Sequence, residues 1–193
     1  AAQLDVLGIP SRINTDTYPS IVALFEEALS TYRDEAACSS VGHTLTYADL
    51  DRLSAQFAGW LQHDAGLERG DRVAVQMPNL IQYLVVCLGA LRAGMVVVNT
   101  NPLYTAREMR HQFKDAGVRA LVYLNVFGKL VEEVLPDTRI EYLIEARMGD
   151  LMYRVASQKF EDPAEGEEKV TKTLAVLHDD LLASFRQLED EFR

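Results

Sequence analysis

The side chains able to do chemistry in this sequence are few and scattered. The four histidines, His43, His63, His111 and His178, fall in a turn, on a polar helix face, beside Arg110 and in the tail, and no two have the spacing of metal ligands. They read as solvated or packed imidazoles, and no metal site is expected. Cys38 and Cys87 stand 49 positions apart, each inside an apolar run with no basic neighbour to stabilise a thiolate. They read as buried structural thiols of a reduced protein. The 11 glycines form no G-x-G-x-x-G after a strand and no G-x-x-x-x-G-K-[ST], and no G-x-S-x-G elbow occurs. Dinucleotide loops, the common phosphate loop and elbow-type serine nucleophiles are therefore excluded.

One stretch is more distinctive, residues 91–109, whose centre reads Asn99-Thr100-Asn101-Pro102-Leu103-Tyr104-Thr105. A helix stop at Gly94, a buried strand, a proline turn and a helix capped by Thr105 account for Gly94, Pro102 and Thr105. They do not account for Asn99, Asn101 and Tyr104. Two amides and a phenol after a parallel strand lie where α/β sheets bind ligands, outside the carboxyl ends of the strands. This makes Asn99, Asn101 and Tyr104 substrate-proximal candidates. The same amides can equally satisfy backbone groups of their own loop. No residue qualifies as catalytic.

The elements that would position this loop can be read from periodicity. Ile21, Leu24, Phe25, Ala28, Leu29 and Tyr32 share a helical face. Residues 36–41 and 44–46 read as two short strands around a Gly42-His43 turn, a small hairpin. Thr46 and Asp49 resemble a capping box ahead of a second helix that ends near Gly66. From Asp71 short apolar runs (73–77, 95–98, 120–124, 140–144) alternate with helical stretches (79–92, 105–116, 129–135). Strands apolar at nearly every position are buried on both faces, and strands separated by helices need crossovers, which together imply an α/β fold with a parallel sheet. Thr105 with Glu108 forms a second box, and Gly94 and Gly117 sit where helices should stop.

The character shifts after Asp150. Residues 161–193 hold ten Asp or Glu against four Lys or Arg, which is −6 of the total formal charge of −10. The division expected is an α/β unit over residues 1–150, an acidic linker over 151–168 and an amphipathic helix over 169–193. Val170, Leu174, Leu177, Leu181, Phe185, Leu188 and Phe192 carry the helical period of about 3.6 residues. Two roles for that helix stand open: folding back over a sheet face that would otherwise be exposed, or binding a partner or a second copy.

Of the 193 residues, 48 % are hydrophobic and 25 % charged, which suits a globular chain, and a pI near 4.8 argues against nucleic acid as a partner. No basic n-region with an apolar h-region opens the chain, and the longest apolar run, residues 84–91, is too short to span a bilayer. A cytoplasmic location is expected, with at most peripheral contact at the inner membrane face.

Four segments, in order, carry a resemblance: Leu45-Thr46-Tyr47-Ala48-Asp49-Leu50, Gly70-Asp71-Arg72-Val73-Ala74-Val75-Gln76-Met77-Pro78-Asn79, residues 91–109, and Arg147-Met148-Gly149-Asp150. The sequence resembles the amino-terminal part of acyl-adenylate-forming (AMP-binding) enzymes, and within them the bacterial long-chain fatty-acid–CoA ligases, over about residues 12–150. The run from Asn101 to Glu108 favours the fatty-acid branch. The resemblance implies the α/β amino-terminal subdomain of such a ligase. The family reaction turns fatty acid, ATP and coenzyme A into acyl-CoA, AMP and pyrophosphate, with ATP, Mg²⁺ and coenzyme A required by the full-length enzyme.

The family's Ser/Thr/Gly phosphate loop closing on Lys-Gly should follow position 150, where this sequence has only Gly166. The later acidic residues and the small-domain lysine of the family have no counterpart either. Stabilising charge on transferring phosphate oxygens needs loop amides, Mg²⁺ and a cation. The resemblance therefore implies a portion of a ligase that is inactive alone and binds no cofactor by itself, its partner being the missing remainder of the enzyme or a second copy. The tail lies outside the resemblance, as a divergent insert, a truncation product or a fused helix. The competing reading is a non-catalytic interaction module that uses the tail helix as a scaffold contact.

Overall fold

The Ser20 side chain accepts a hydrogen bond from the Ala23 amide and starts the first helix. A computed structural model describes residues 16–40, 43–147, 154–159 and 171–175 of the chain. Helix α1 (Ile21–Thr31) leads to a hairpin of β1 (Ala36–Ser40) and β2 (His43–Thr46), so His43 opens a strand instead of sitting in the turn. The hairpin is antiparallel, with Ser39 and Thr44 hydroxyls 2.6 Å apart across it. Thr46 and Asp49 form the expected reciprocal box and start α2 (Tyr47–Gly59). That helix runs on into a single wide turn of π type over Trp60–Asp64, which places Trp60 edge-on to Tyr142 with ring centroids 6.1 Å apart.

The sheet begins with β3 (Arg72–Gln76), followed by α3 (Ile81–Arg92), β4 (Val96–Asn99), α4 (Ala106–Ala116), β5 (Val118–Leu124), α5 (Gly128–Val134) and β6 (Tyr142–Ala146). Its strand order is β4-β3-β5-β6, all parallel, and it continues with antiparallel β7 (Arg154–Lys159) and β8 (Thr171–Ala175). The α/β reading and the parallel sheet hold.

The tail differs from the sequence expectation. Strand β7 falls inside residues 151–168, expected as linker, and β8 occupies 171–175, expected as the start of the helix over 169–193. Thr171 and Thr173 are β-branched and favour extended backbone, and the helical spacing of Val170 and Leu174 does not override them. The remainder of both segments, including His178, lies outside the described residues.

Alternation along the strands builds two cores. Val73, Val75, Ala120, Val122, Leu124 and Ile144 point to the face covered by α1, α2, α3 and the hairpin. Ala74, Leu121, Tyr123 and Leu143 point to the other face, where Met109 and Phe113 of α4 and Val131 and Val134 of α5 cover them. This period of two with both sides apolar is the signature of a doubly covered parallel sheet. Helices α2 and α3 cross closely at Gly89, where an added Cβ would stand 2.8 Å from the Ser54 carbonyl oxygen. Gly117, at φ 61°, ends α4 in the left-handed conformation.

A charged cluster ties the strand starts together. Arg119, just inside β5, contacts Asp71 ahead of β3 at 2.5 Å and grips Glu141 ahead of β6 at 2.6 and 2.8 Å. These bonds, with Glu141 foremost, raise the guanidinium's affinity for its proton against the cost of burial. Among the described residues no helix is long and apolar enough to cross a membrane.

Candidate functional site

Strands β3 and β4 end side by side, and the two loops that leave them diverge toward α3 and α4. Between the loops lies a cleft of about 340 Å³. Asn79 and Tyr83 enter it from the β3 side, and Asn99, Thr100, Asn101 and Tyr104 from the β4 side, with buried Val75 and Met77 also in its wall. The structure thus brings the three candidates Asn99, Asn101 and Tyr104 into one cleft. It sits at the carboxyl ends of the strands, one strand away from the point between β3 and β5 where the winding of the sheet reverses.

Each loop is held by its own hydrogen bonds. Thr100 N–H donates to the Val75 carbonyl at 3.0 Å and continues the ladder one step past β4. Its hydroxyl donates to Gln112 Oε1 at 2.9 Å, while Gln112 Nε2 donates to the Asn99 carbonyl at 2.9 Å. One α4 side chain therefore clamps two consecutive residues of the exit loop. The Asn101 Oδ1 accepts from Leu103 N–H at 3.0 Å, and the Asn101 carbonyl accepts from Tyr104 N–H at 3.0 Å. The Tyr83 hydroxyl donates to Asn99 Oδ1 at 2.8 Å.

The Asn101 side-chain oxygen serves its own loop, which is the backbone-satisfying reading of these amides. Because both amide oxygens are engaged within the protein, Asn99 and Asn101 offer a visitor their Nδ2 groups, beside the Asn79 amide and the Tyr104 phenol. None of the eight lining residues is charged. Burial first, and then the neighbouring Cys87, pushes the Tyr83 phenol up, so it stays a neutral donor. The cleft can orient a neutral hydrogen-bonding group; it has no paired nucleophile and base and no cation for a phosphate.

Sequence reasoning missed Asn79, Tyr83 and Gln112. The signal was available for the first two, because the rule that ligands lie beyond strand ends applies to the loop after β3 as well as to the loop after β4. Gln112 carries no such signal, since only the packing of α4 brings it back to Asn99.

The other chemistry-bearing residues stay apart. Cys38 and Cys87 are free and half-buried, where full burial was expected, and desolvation raises both thiols, which keeps them protonated. His111 lies on α4 in a second, open depression with Thr105, Arg107 and Glu108. The Thr105 amide and hydroxyl hold the Glu108 carboxylate and lower its proton affinity. No three His, Cys, Asp or Glu side chains among the described residues are grouped to hold a metal ion. Gln76 is fully buried at the end of β3, with its Nε2 3.4 Å from the Met109 sulfur and its Oε1 without a partner.

Comparison with known proteins places these features in context. Residues 25–187 match the family model described as AMP-binding enzyme. Over 142 residues the chain is 46 % identical to the long-chain-fatty-acid–CoA ligase of Salmonella typhimurium, covering 74 % of this chain and 25 % of that protein. The corresponding ligase of Haemophilus influenzae is 42 % identical over 143 residues, again 74 % of this chain and 25 % of the relative. The chain thus spans about a quarter of the length of the curated relatives it matches. Among solved structures, a long-chain-fatty-acid–CoA ligase from Archaeoglobus fulgidus superposes with a TM-score of 0.60 at 20 % identity, covering 66 % of this chain and 27 % of that one. An anthranilate CoA ligase in complex with anthranoyl-AMP gives 0.62 at 18 % identity, covering 65 % and 24 %. At those identities the structural likeness is one of fold.

Proposed function

Because the chain belongs to the AMP-binding enzyme family, we propose that it is the amino-terminal portion of a long-chain fatty-acid–CoA ligase and works with the remainder of such an enzyme. The observation that carries this reading is the 46 % identity to a ligase of that specificity over three-quarters of the chain. The reaction joins a fatty acid to coenzyme A at the expense of ATP.

Asn99, Asn101 and Tyr104 are the residues of this chain given to the substrate. Neutral amide and phenol donors suit a neutral acceptor, such as the amide carbonyls along the arm of coenzyme A. They suit ATP phosphates or a fatty carboxylate less, because those groups call for cations. The cleft lining has no carboxylate, so it does not fit Mg²⁺, and no step through a metal is assigned to these residues. Adenylation falls to the part of the family's length that lies outside this chain, and the chain alone is expected to release no pyrophosphate.

Calorimetric titration with coenzyme A, MgATP and oleate, beside a pyrophosphate-release assay, tests both parts. Saturable coenzyme A binding weakened severalfold by Tyr104→Phe supports the cleft. No coenzyme A binding by the unaltered chain, or binding unchanged by Tyr104→Phe, overturns the role given to Asn99, Asn101 and Tyr104. Pyrophosphate release by the chain alone overturns the assignment of adenylation elsewhere.

A further inference from the structure

Asn99 ends β4 with its backbone fixed from two sides. The Gln112 amide of α4 donates to its carbonyl at 2.9 Å, and the amide of the next residue, Thr100, donates to the Val75 carbonyl at 3.0 Å. A carbonyl can only accept, so Gln112 must turn Nε2 to Asn99 and Oε1 to the Thr100 hydroxyl, which sets the direction of both bonds. The Asn99 side chain itself is exposed. The last torsion of an asparagine is broad and roughly two-fold, so a half-turn exchanges its amide oxygen and nitrogen.

The bond that chooses between those two orientations comes from across the cleft. Tyr83 stands in the first turn of α3 with its ring packed against the core that α1, α2 and α3 share. Its hydroxyl donates to Asn99 Oδ1 at 2.8 Å. Because the ring is anchored independently of Asn99, the hydroxyl is a fixed post and the amide is the part that adjusts. Burial tightens the phenol's hold on its proton, so it remains a donor. With Oδ1 committed to Tyr83, Asn99 presents Nδ2, and a ligand meets a donor at this point. Turned the other way, the same residue would present an acceptor.

We infer that Tyr83 is a positioning residue of the cleft: by holding the Asn99 amide oxygen it makes this point select a hydrogen-bond acceptor, the carbonyl of an amide-bearing chain. The inference rests on the role proposed above for the cleft, holding the arm of coenzyme A. Tyr83 acts through Asn99 and does so before a ligand arrives, so the amide need not be ordered during binding.

Nitrogen-15 relaxation of the asparagine side-chain amides in the ligand-free chain, beside calorimetric titration with coenzyme A, tests it. Tyr83→Phe keeps the ring in the core and removes the hydroxyl. In that variant the Asn99 Nδ2 order parameter is expected to fall, while Tm and the order parameter of Asn101, whose oxygen the Leu103 amide holds, stay unchanged. Tyr83→Phe is expected to weaken coenzyme A binding about fivefold, the effect of one neutral hydrogen bond. In an Asn99→Ala background, itself weakened by about the same factor, Tyr83→Phe should change nothing further. Asn99→Asp still accepts from Tyr83 but turns an oxygen to the cleft, and is expected to bind pantetheine, the uncharged arm of coenzyme A, more weakly than Asn99→Ala does. An unchanged Asn99 order parameter overturns the inference, as does equal or tighter pantetheine binding by Asn99→Asp. A Tyr83→Phe effect that persists in the Asn99→Ala background also overturns it, because the phenol would then touch the ligand itself. Binding that Tyr104→Phe weakens and Tyr83→Phe does not overturns the inference alone and leaves the reading of the cleft standing. No coenzyme A binding by the unaltered chain overturns that reading and the inference with it.

Discussion

Tyr123 shows what burial does to a single titratable group in this protein. It projects from β5 into the core face covered by α5, only 9 % exposed, and burial followed by the neighbouring Glu145 carboxylate pushes its phenol up to about 12. The unfolded chain would release that proton near pH 10, so the folded state holds it more tightly. The stability this contributes is complete below pH 10 and is lost as pH rises through 12. Tyr123→Phe is expected to flatten the fall in unfolding free energy between those values, as urea titrations at stepped pH would show. An unchanged slope would refute the assignment. Such a shift is invisible in sequence, because it depends on Glu145 standing on the adjacent strand in register with Tyr123. That Asn99, Asn101 and Tyr104 lie together at a strand end was legible, by contrast, because the loop after a parallel strand places its residues there.

At the scale of elements, Arg119 holds three strand starts in register through Asp71 and Glu141. The Asp71 side chain is 14 % exposed and that of Arg119 29 %, between the exposed and buried regimes of ion pairs. Arg119→Met keeps the aliphatic stem but leaves the Asp71 carboxylate with the Glu68 amide and no cation, and should cost about 2 kcal/mol, read from the urea midpoint at constant m. Asp71→Asn with Arg119→Met together should cost less than the sum of the singles. Most elements were legible from local chemistry: both capping boxes formed at Thr46 and Thr105, and Gly117 ended α4 as expected. The wide turn after Gly59 was not, since nothing in Trp60-Leu61-Gln62-His63-Asp64 breaks helical periodicity. Nor was β8, where helical spacing of apolar residues and β-branched threonines pointed in opposite directions.

At the scale of the whole molecule, a formal charge of −10 over 193 residues opposes close approach of copies at low ionic strength. Composition and strand–helix alternation made the parallel sheet legible, but not its order. That β3 lies between β4 and β5 follows from which way each crossover returns, and neither periodicity nor charge records that direction.

The position of β3 also bears on synthesis. It is the first strand of the sheet to be made, yet it ends at neither edge. When β4 has emerged and settled on one flank, every later strand, β5 through β8, adds to the opposite flank in order of its birth. Each nascent strand thus finds its neighbour already waiting, and a ribosome-bound chain can extend the sheet without rearranging what is built. The flank occupied by β4 is finished early in that sequence and is not revisited by any described strand that follows.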